Sequence, residues 1–89
     1  MNRHHLKILS EHYNNVANGT KTFEIRNNDR AFQKGDEVIL QVFGNGQYIK
    51  FKRHDGSWEM PDLEFKVGDV YPIDAERVVF SLLEPKSLK

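Results

Sequence analysis

The sequence predicts a small mainly-β domain of the α+β class: a closed or nearly closed β-barrel of about five to seven strands, with one short N-terminal helix. Three observations carry this. The chain has 89 residues; one this short buries only about 60–65% of its unfolded surface, which allows one modest core and no second domain. Apolar and polar residues alternate with period two along most of its length, punctuated by Asn-Gly and Gly-Asp pairs. Helical spacing occurs once, around Tyr13.

Residues 4–9 put Leu6 and Ile8 on one face and His5, Lys7 and Leu9 on the other, which reads as a first strand. Ser10 then stands at a helix N-cap position, where a hydroxyl can accept from a free backbone N–H. Tyr13, Val16 and Ala17 form one apolar stripe, and Asn18-Gly19 supplies a left-handed stop. A helix of two to three turns does not persist alone and must dock on the sheet. Residues 20–26 alternate as a second strand, with Phe23 and Ile25 expected on the core face and Thr22, Glu24 and Arg26 on the other.

A polar loop over residues 27–34 ends in the turn Gly35-Asp36, which leads into a strand over residues 37–43. Asn45-Gly46 is a strong hairpin signal, with the return strand expected over residues 47–53. Residues 44–61 read as an extended hairpin and loop inserted into a single domain spanning 1–89. Leu63, Phe65 and Val67 alternate in a further strand, Gly68-Asp69 reads as a turn, and Pro72 marks residues 70–73 as an edge or bulge. Val78, Phe80 and Leu82 define the closing strand, and residues 85–89 are expected to be a frayed tail. Alternation assigns Phe23, Ile25, Val38, Leu40, Val42, Phe65, Phe80 and Leu82 to the core.

Composition excludes several chemistries. There is no cysteine, hence no disulfide, thiolate zinc site or cysteine nucleophile. His4, His5, His12 and His54 have no metal-ligand spacing, so neither a metal nor another cofactor is expected. No apolar run is long enough to span a membrane and no signal-peptide core is visible, which suits a cytoplasmic protein. Thirteen basic and thirteen acidic side chains balance overall. Residues 1–35 nevertheless carry six basic against three acidic side chains, so a basic site in the first third is open.

One stretch departs from folding logic. Glu24 and Arg26 lie two apart on a strand and share a face, Lys21 sits at its entrance, and Asn28, Asp29 and Arg30 crowd the following loop. A solvated face with a weak ion pair accounts for these residues. So does a ligand cleft in which an arginine grips phosphate, Glu24 accepts from an amino group and Lys21 adds positive charge. His5 and Lys7 share a face of the first strand beside such a cleft. Tyr48, Lys50 and Lys52 share a face of the hairpin strand, with Trp58 beyond. That set suits either an edge protected by lysines or a stacking surface.

The run His5-Leu6-Lys7-Ile8, then Gly19-x-Lys21-x-Phe23-Glu24-Ile25-Arg26-x-Asn28-Asp29-Arg30-x-Phe32, then Gly35-Asp36, resembles the DUF3850 group of ASCH-domain proteins. It covers residues 4–43 most closely, and Val78-Val79-Phe80-Ser81-Leu82 is similar to that family's closing strand. The resemblance implies a PUA-like barrel with the helix packed at its mouth, and a cleft lined by Lys21, Glu24 and Arg26. RNA or a modified nucleotide is the implied partner, with Asn28, Asp29, Arg30, His5 and Lys7 around the rim. Some ASCH proteins resemble an amidohydrolase of N4-acetylcytidine whose nucleophile is a threonine; Glu24 occupies that position here. A carboxylate cannot follow the same acyl-enzyme route. The resemblance therefore implies a binding module before an enzyme. Two alternatives stay open: a small hydrolase of a modified nucleoside using Lys21 and Glu24, and a protein adaptor acting through the hairpin from Tyr48 to Pro61.

Overall fold

A computed structural model describes residues 1–49, 52–57 and 59–88. Its elements run β1 (Arg3–Ile8), α1 (Ser10–Ala17), β2 (Phe23–Asn27), β3 (Glu37–Gly44), β4 (Gln47–Tyr48), β5 (Asp62–Pro72) and β6 (Arg77–Leu88). The fold is mainly β with one short helix. Five strands form one path in the order β1-β3-β5-β6-β2, and β4 pairs with β3 off that path. β1 and β3 are parallel, joined through α1 and β2; the other pairs are antiparallel. β1 and β2 are thus the two ends of the path. Among the described residues no ladder closes them into a complete barrel, and a side chain joins them instead: Arg26 Nη2 on β2 donates to the Lys7 carbonyl on β1 at 2.9 Å.

The core follows the alternation. Leu6, Ile8, Val38, Leu40, Val42, Leu63, Phe65, Val67, Val78, Phe80 and Leu82 are buried in one cluster. α1 adds Tyr13 and Val16 to that cluster and packs on β3, and the Tyr13 hydroxyl donates to the Pro61 carbonyl at 2.7 Å. Ala17, expected on the apolar stripe, is exposed. The helix begins one residue earlier than expected: Leu9 is the N-cap, without a side-chain cap, and Ser10 is already helical. Asn45 (φ 51°) and Gly46 (φ 78°) form the two-residue hairpin turn, both in the left-handed region that a type I′ turn requires.

Three expectations are corrected. Phe23 and Ile25 are not core: they are 43% and 46% exposed, and Glu24 beneath them is 3% exposed. The alternation of β2 was right and its phase inverted. Burial there favours the polar residues because Glu24 meets cations at both oxygens, while Ile25 lies in register with Val79, which pairs in turn with Tyr71 across the outer face. Gly68-Asp69 is a bulge inside a continuous β5, with Val67 opposite Leu82 and Val70 opposite Phe80. Residues 85–88 are strand, with Lys86 to Leu88 paired to Glu64 to Asp62. A second bulge at Glu84 (φ 52°) and Pro85 lets that proline sit in the strand without breaking the ladder. Of the hairpin return expected over residues 47–53, Gln47–Tyr48 is strand β4 and the Ile49 amide still donates to the Val42 carbonyl at 2.9 Å, while residues 50 and 51 lie outside the described residues. Lys50, Trp58 and Lys89, which also figured in the sequence reading, lie outside the described residues. Among those described, no helix is long and apolar enough to cross a membrane.

Candidate functional site

The seam between β1 and β2 gathers most of the residues singled out from sequence. Glu24 points inward from β2 and is buried; Lys21 Nζ approaches its Oε1 at 3.3 Å and Arg26 Nε donates to its Oε2 at 2.9 Å. The geometry of each partner has a local cause. Period two places Glu24 and Arg26 side by side. Lys21 is fixed after the helix because its backbone N–H bonds the Asn15 carbonyl at 2.9 Å, just beyond the turn at Gly19 (φ 81°). Its ammonium also lies 5.6 Å from the Phe23 ring centroid. A buried carboxylate is costly unless paired, and here both oxygens are taken.

Arg26 does two jobs at once. One N–H meets Glu24 and another meets the Lys7 carbonyl, which leaves the rest of its five donors for other partners. The bridge to β1 divides the seam into two hollows with Lys7 and Arg26 in the wall of both. One, of about 250 Å³, is bounded by Lys21, Glu24 and His12. The other, of about 370 Å³, is bounded by His5, Asp29, Arg30 and Tyr48.

The loop behind the larger hollow is braced. The Asn28 amide N–H donates to the Glu76 carbonyl at 2.8 Å, and its side-chain oxygen accepts from the Phe32 amide at 3.0 Å. Phe32 is buried against His4 and Phe80, at ring distances of 4.7 and 4.9 Å. Asn28 therefore serves the loop and lines neither seam hollow, whereas Asp29 and Arg30 project into the larger one. A buried pair secures the strand below: His4 Nε2 donates to Asp36 Oδ2 at 2.9 Å, and Asp36 also accepts from the amides of Asn2 and Gln33. Desolvation pushes the Asp36 carboxyl up, but the His4 bond and the two amide bonds outweigh it and hold the group below the usual carboxylate range.

Of the eight sequence-nominated residues, Lys21, Glu24 and Arg26 meet directly, and His5, Lys7, Asp29 and Arg30 join them across the Arg26 bridge. His12 and Tyr48 are among the lining residues not assigned to the cleft from sequence. His12 reaches it from α1, and no sequence signal marked it. Tyr48 had been placed on a separate hairpin surface. The Asn45-Gly46 turn folds it back beside Phe43, ring centroids 5.1 Å apart, and the Lys7 ammonium lies 4.2 Å from the Phe43 centroid and 5.9 Å from that of Tyr48. The hairpin register was the signal that could have found it.

Chemically, the seam offers cations without carboxylate partners (Lys7 and Arg30, among the described residues), spare guanidinium donors on Arg26, one exposed carboxylate at Asp29 and one exposed aromatic ring. Among the described residues no cluster of three His, Asp or Glu could hold a metal ion. A family model described as a domain of unknown function (DUF3850) matches residues 3–56, which takes in β1, the helix, β2, β3 and the hairpin turn. No curated protein matches the chain.

Proposed function

The chain belongs to the DUF3850 family, whose description names no activity, and from that premise we propose that it is an RNA- or nucleotide-binding module whose ligand lies along the β1–β2 seam. The observation that carries the reading is the seam itself: two sheet ends bridged by a side chain, with a basic, aromatic-flanked groove between them. Glu24 and Lys21 hold Arg26 in place, and Arg26, Lys7 and Arg30 present positive charge to a phosphate. Asp29 accepts from a hydroxyl or an amino group. The ASCH, PUA-like placement belongs to this proposal; a curled six-stranded sheet with one early helix is compatible with it. A cytoplasmic setting goes with it too.

The hydrolase reading uses the same Lys21–Glu24 pair as a water-activating base. Both Glu24 oxygens are engaged by cations and the residue is buried, which leaves little access for a water. The adaptor reading depends on Tyr48 to Pro61, which includes Lys50, Phe51 and Trp58, outside the described residues.

The test is binding of a labelled short single-stranded RNA across a salt series. Three phosphate contacts give a slope of about −2 in log affinity against log salt. Lys7→Ala and Arg30→Ala, neither of which unpairs a buried group, should each weaken binding and flatten that slope. Absence of binding to any short RNA at low salt would remove the proposal.

A further inference from the structure

We infer that the two seam hollows form one track for two consecutive nucleotides of an extended single strand, with the linking phosphate on Arg26 and one base stacked on Tyr48. This rests on the nucleotide-binding reading above and adds to it the length and register of the ligand. The hollows share Lys7 and Arg26 as their common wall, so a chain running along the seam must pass over the spare donors of Arg26. Along β1 the larger hollow centres on Leu6 and the smaller on Ile8. Two strand residues span about 7 Å, comparable with one step of an extended nucleotide chain. Volumes of about 370 and 250 Å³ suit one small polar unit each, and neither admits a helix or a folded loop.

The two ends are chemically different. Tyr48 is 55% exposed yet held edge-to-face by Phe43 (interplanar angle 79°), with the Lys7 ammonium beside both rings. An aromatic ring braced in this way and flanked by a cation suits a stacked base with its phosphate nearby. The smaller hollow is bounded by His12 and Lys21 and holds its unit by polar contact. An acidic peptide would satisfy Lys7 and Arg30 but leave the Tyr48 ring without a partner, so the nucleotide chain is the better fit.

The experiment is competition: unlabelled uridine monophosphate, the dinucleotide UpU carrying a 5′-phosphate, and the tetranucleotide each displace a labelled tetrauridylate from the full chain at low salt. Affinity should rise at least about tenfold from one nucleotide to two and change little from two to four. Tyr48→Leu should weaken the dinucleotide about 5- to 150-fold, the range for loss of one stacked base, whereas Tyr48→Phe should keep wild-type affinity. Equal affinity for one and two nucleotides, or an unaffected Tyr48→Leu variant, would overturn the track. So would displacement by a glutamate-rich peptide as effective as that by the dinucleotide. If the tetranucleotide still binds and still depends on Lys7 and Arg30, those outcomes reject the track alone. No binding of the tetranucleotide by the wild-type chain rejects the track together with the reading beneath it.

Discussion

Removing Arg26 should destabilise the fold before it affects any ligand. Arg26→Ala takes away the 2.9 Å partner of a carboxylate that is 3% exposed, together with the bridge to the Lys7 carbonyl. Breaking a fully buried pair by deleting one partner costs about 3–5 kcal/mol. Here the Arg26 and Lys21 side chains are 24% and 25% exposed, and Lys21 stays beside Glu24, so water and the second cation recover part of that. The remaining loss is about 2–3 kcal/mol, which in a domain of this size lowers Tm by about 10–20 °C. Thermal melting followed by circular dichroism reads it directly. Glu24→Gln in the Arg26→Ala background should restore more than half of the loss, because the buried charge that has lost its guanidinium is then gone. Arg26→Lys should fall between, since an ammonium cannot reach Glu24 and Lys7 with one planar fork. A Tm for Arg26→Ala within about 3 °C of wild type, or no rescue by Glu24→Gln, would refute the claim that the pair holds the seam.

Two further predictions concern the scaffold. The carboxyl of Asp36 lies below its ordinary range in the folded state, so its contribution is complete above about pH 4 and is lost as pH falls through the folded-state value. The urea midpoint of the wild type should therefore drop between pH 5 and pH 2.5, and Asp36→Asn should start lower and change less; an unchanged slope in the variant would assign the acid sensitivity elsewhere. At the β5 bulge, a Cβ on Gly68 would lie 2.9 Å from Ser81 Cβ and 3.1 Å from Leu83 Cδ1. Gly68→Ala should cost about 1–3 kcal/mol by pushing β5 from β6, and chemical denaturation at neutral pH checks it.

The legible parts of the fold are those where one physical rule acts alone. Leu6, Ile8, Val38, Leu40, Phe65 and Phe80 followed period two into the core, and Asn45-Gly46 dictated its turn through backbone sterics. The misread parts are those where two rules compete. Gly68-Asp69 has the composition of a turn, and only the pairing of β5 with β6 on both sides of it makes it a bulge. Residues 85–88 contain a proline and looked like a tail; a bulge with Glu84 at positive φ absorbs that proline and lets the strand run on. Of the site, Lys21, Glu24 and Arg26 were readable as a set from their spacing. The contribution of His12 depends on where α1 comes to rest, which spacing does not encode, whereas that of Tyr48 follows from the hairpin register set by Asn45-Gly46.

The inverted phase of β2 joins these strands of argument. By alternation and hydrophobicity alone, Phe23 and Ile25 would belong inside and Glu24 and Arg26 outside. β2 has a partner on one side alone: β6 pairs with it, and across its other edge lies β1, which pairs with β3 and, among the described residues, forms no ladder with β2. Two facing sheet edges carry backbone donors and acceptors that apolar side chains cannot satisfy. A guanidinium can, since it reaches from one strand to a carbonyl on the other, but it is held in that pose only if a carboxylate anchors its near end. Glu24 is that anchor, held in place by Lys21 on one oxygen and Arg26 on the other. The same construction leaves spare N–H donors facing open space beside Lys7 and Arg30. Holding the seam and presenting a basic groove are thus one arrangement of residues. That is why Glu24→Gln, which conserves shape and removes charge, should disturb both stability and ligand affinity, whereas Tyr48→Leu should disturb affinity alone.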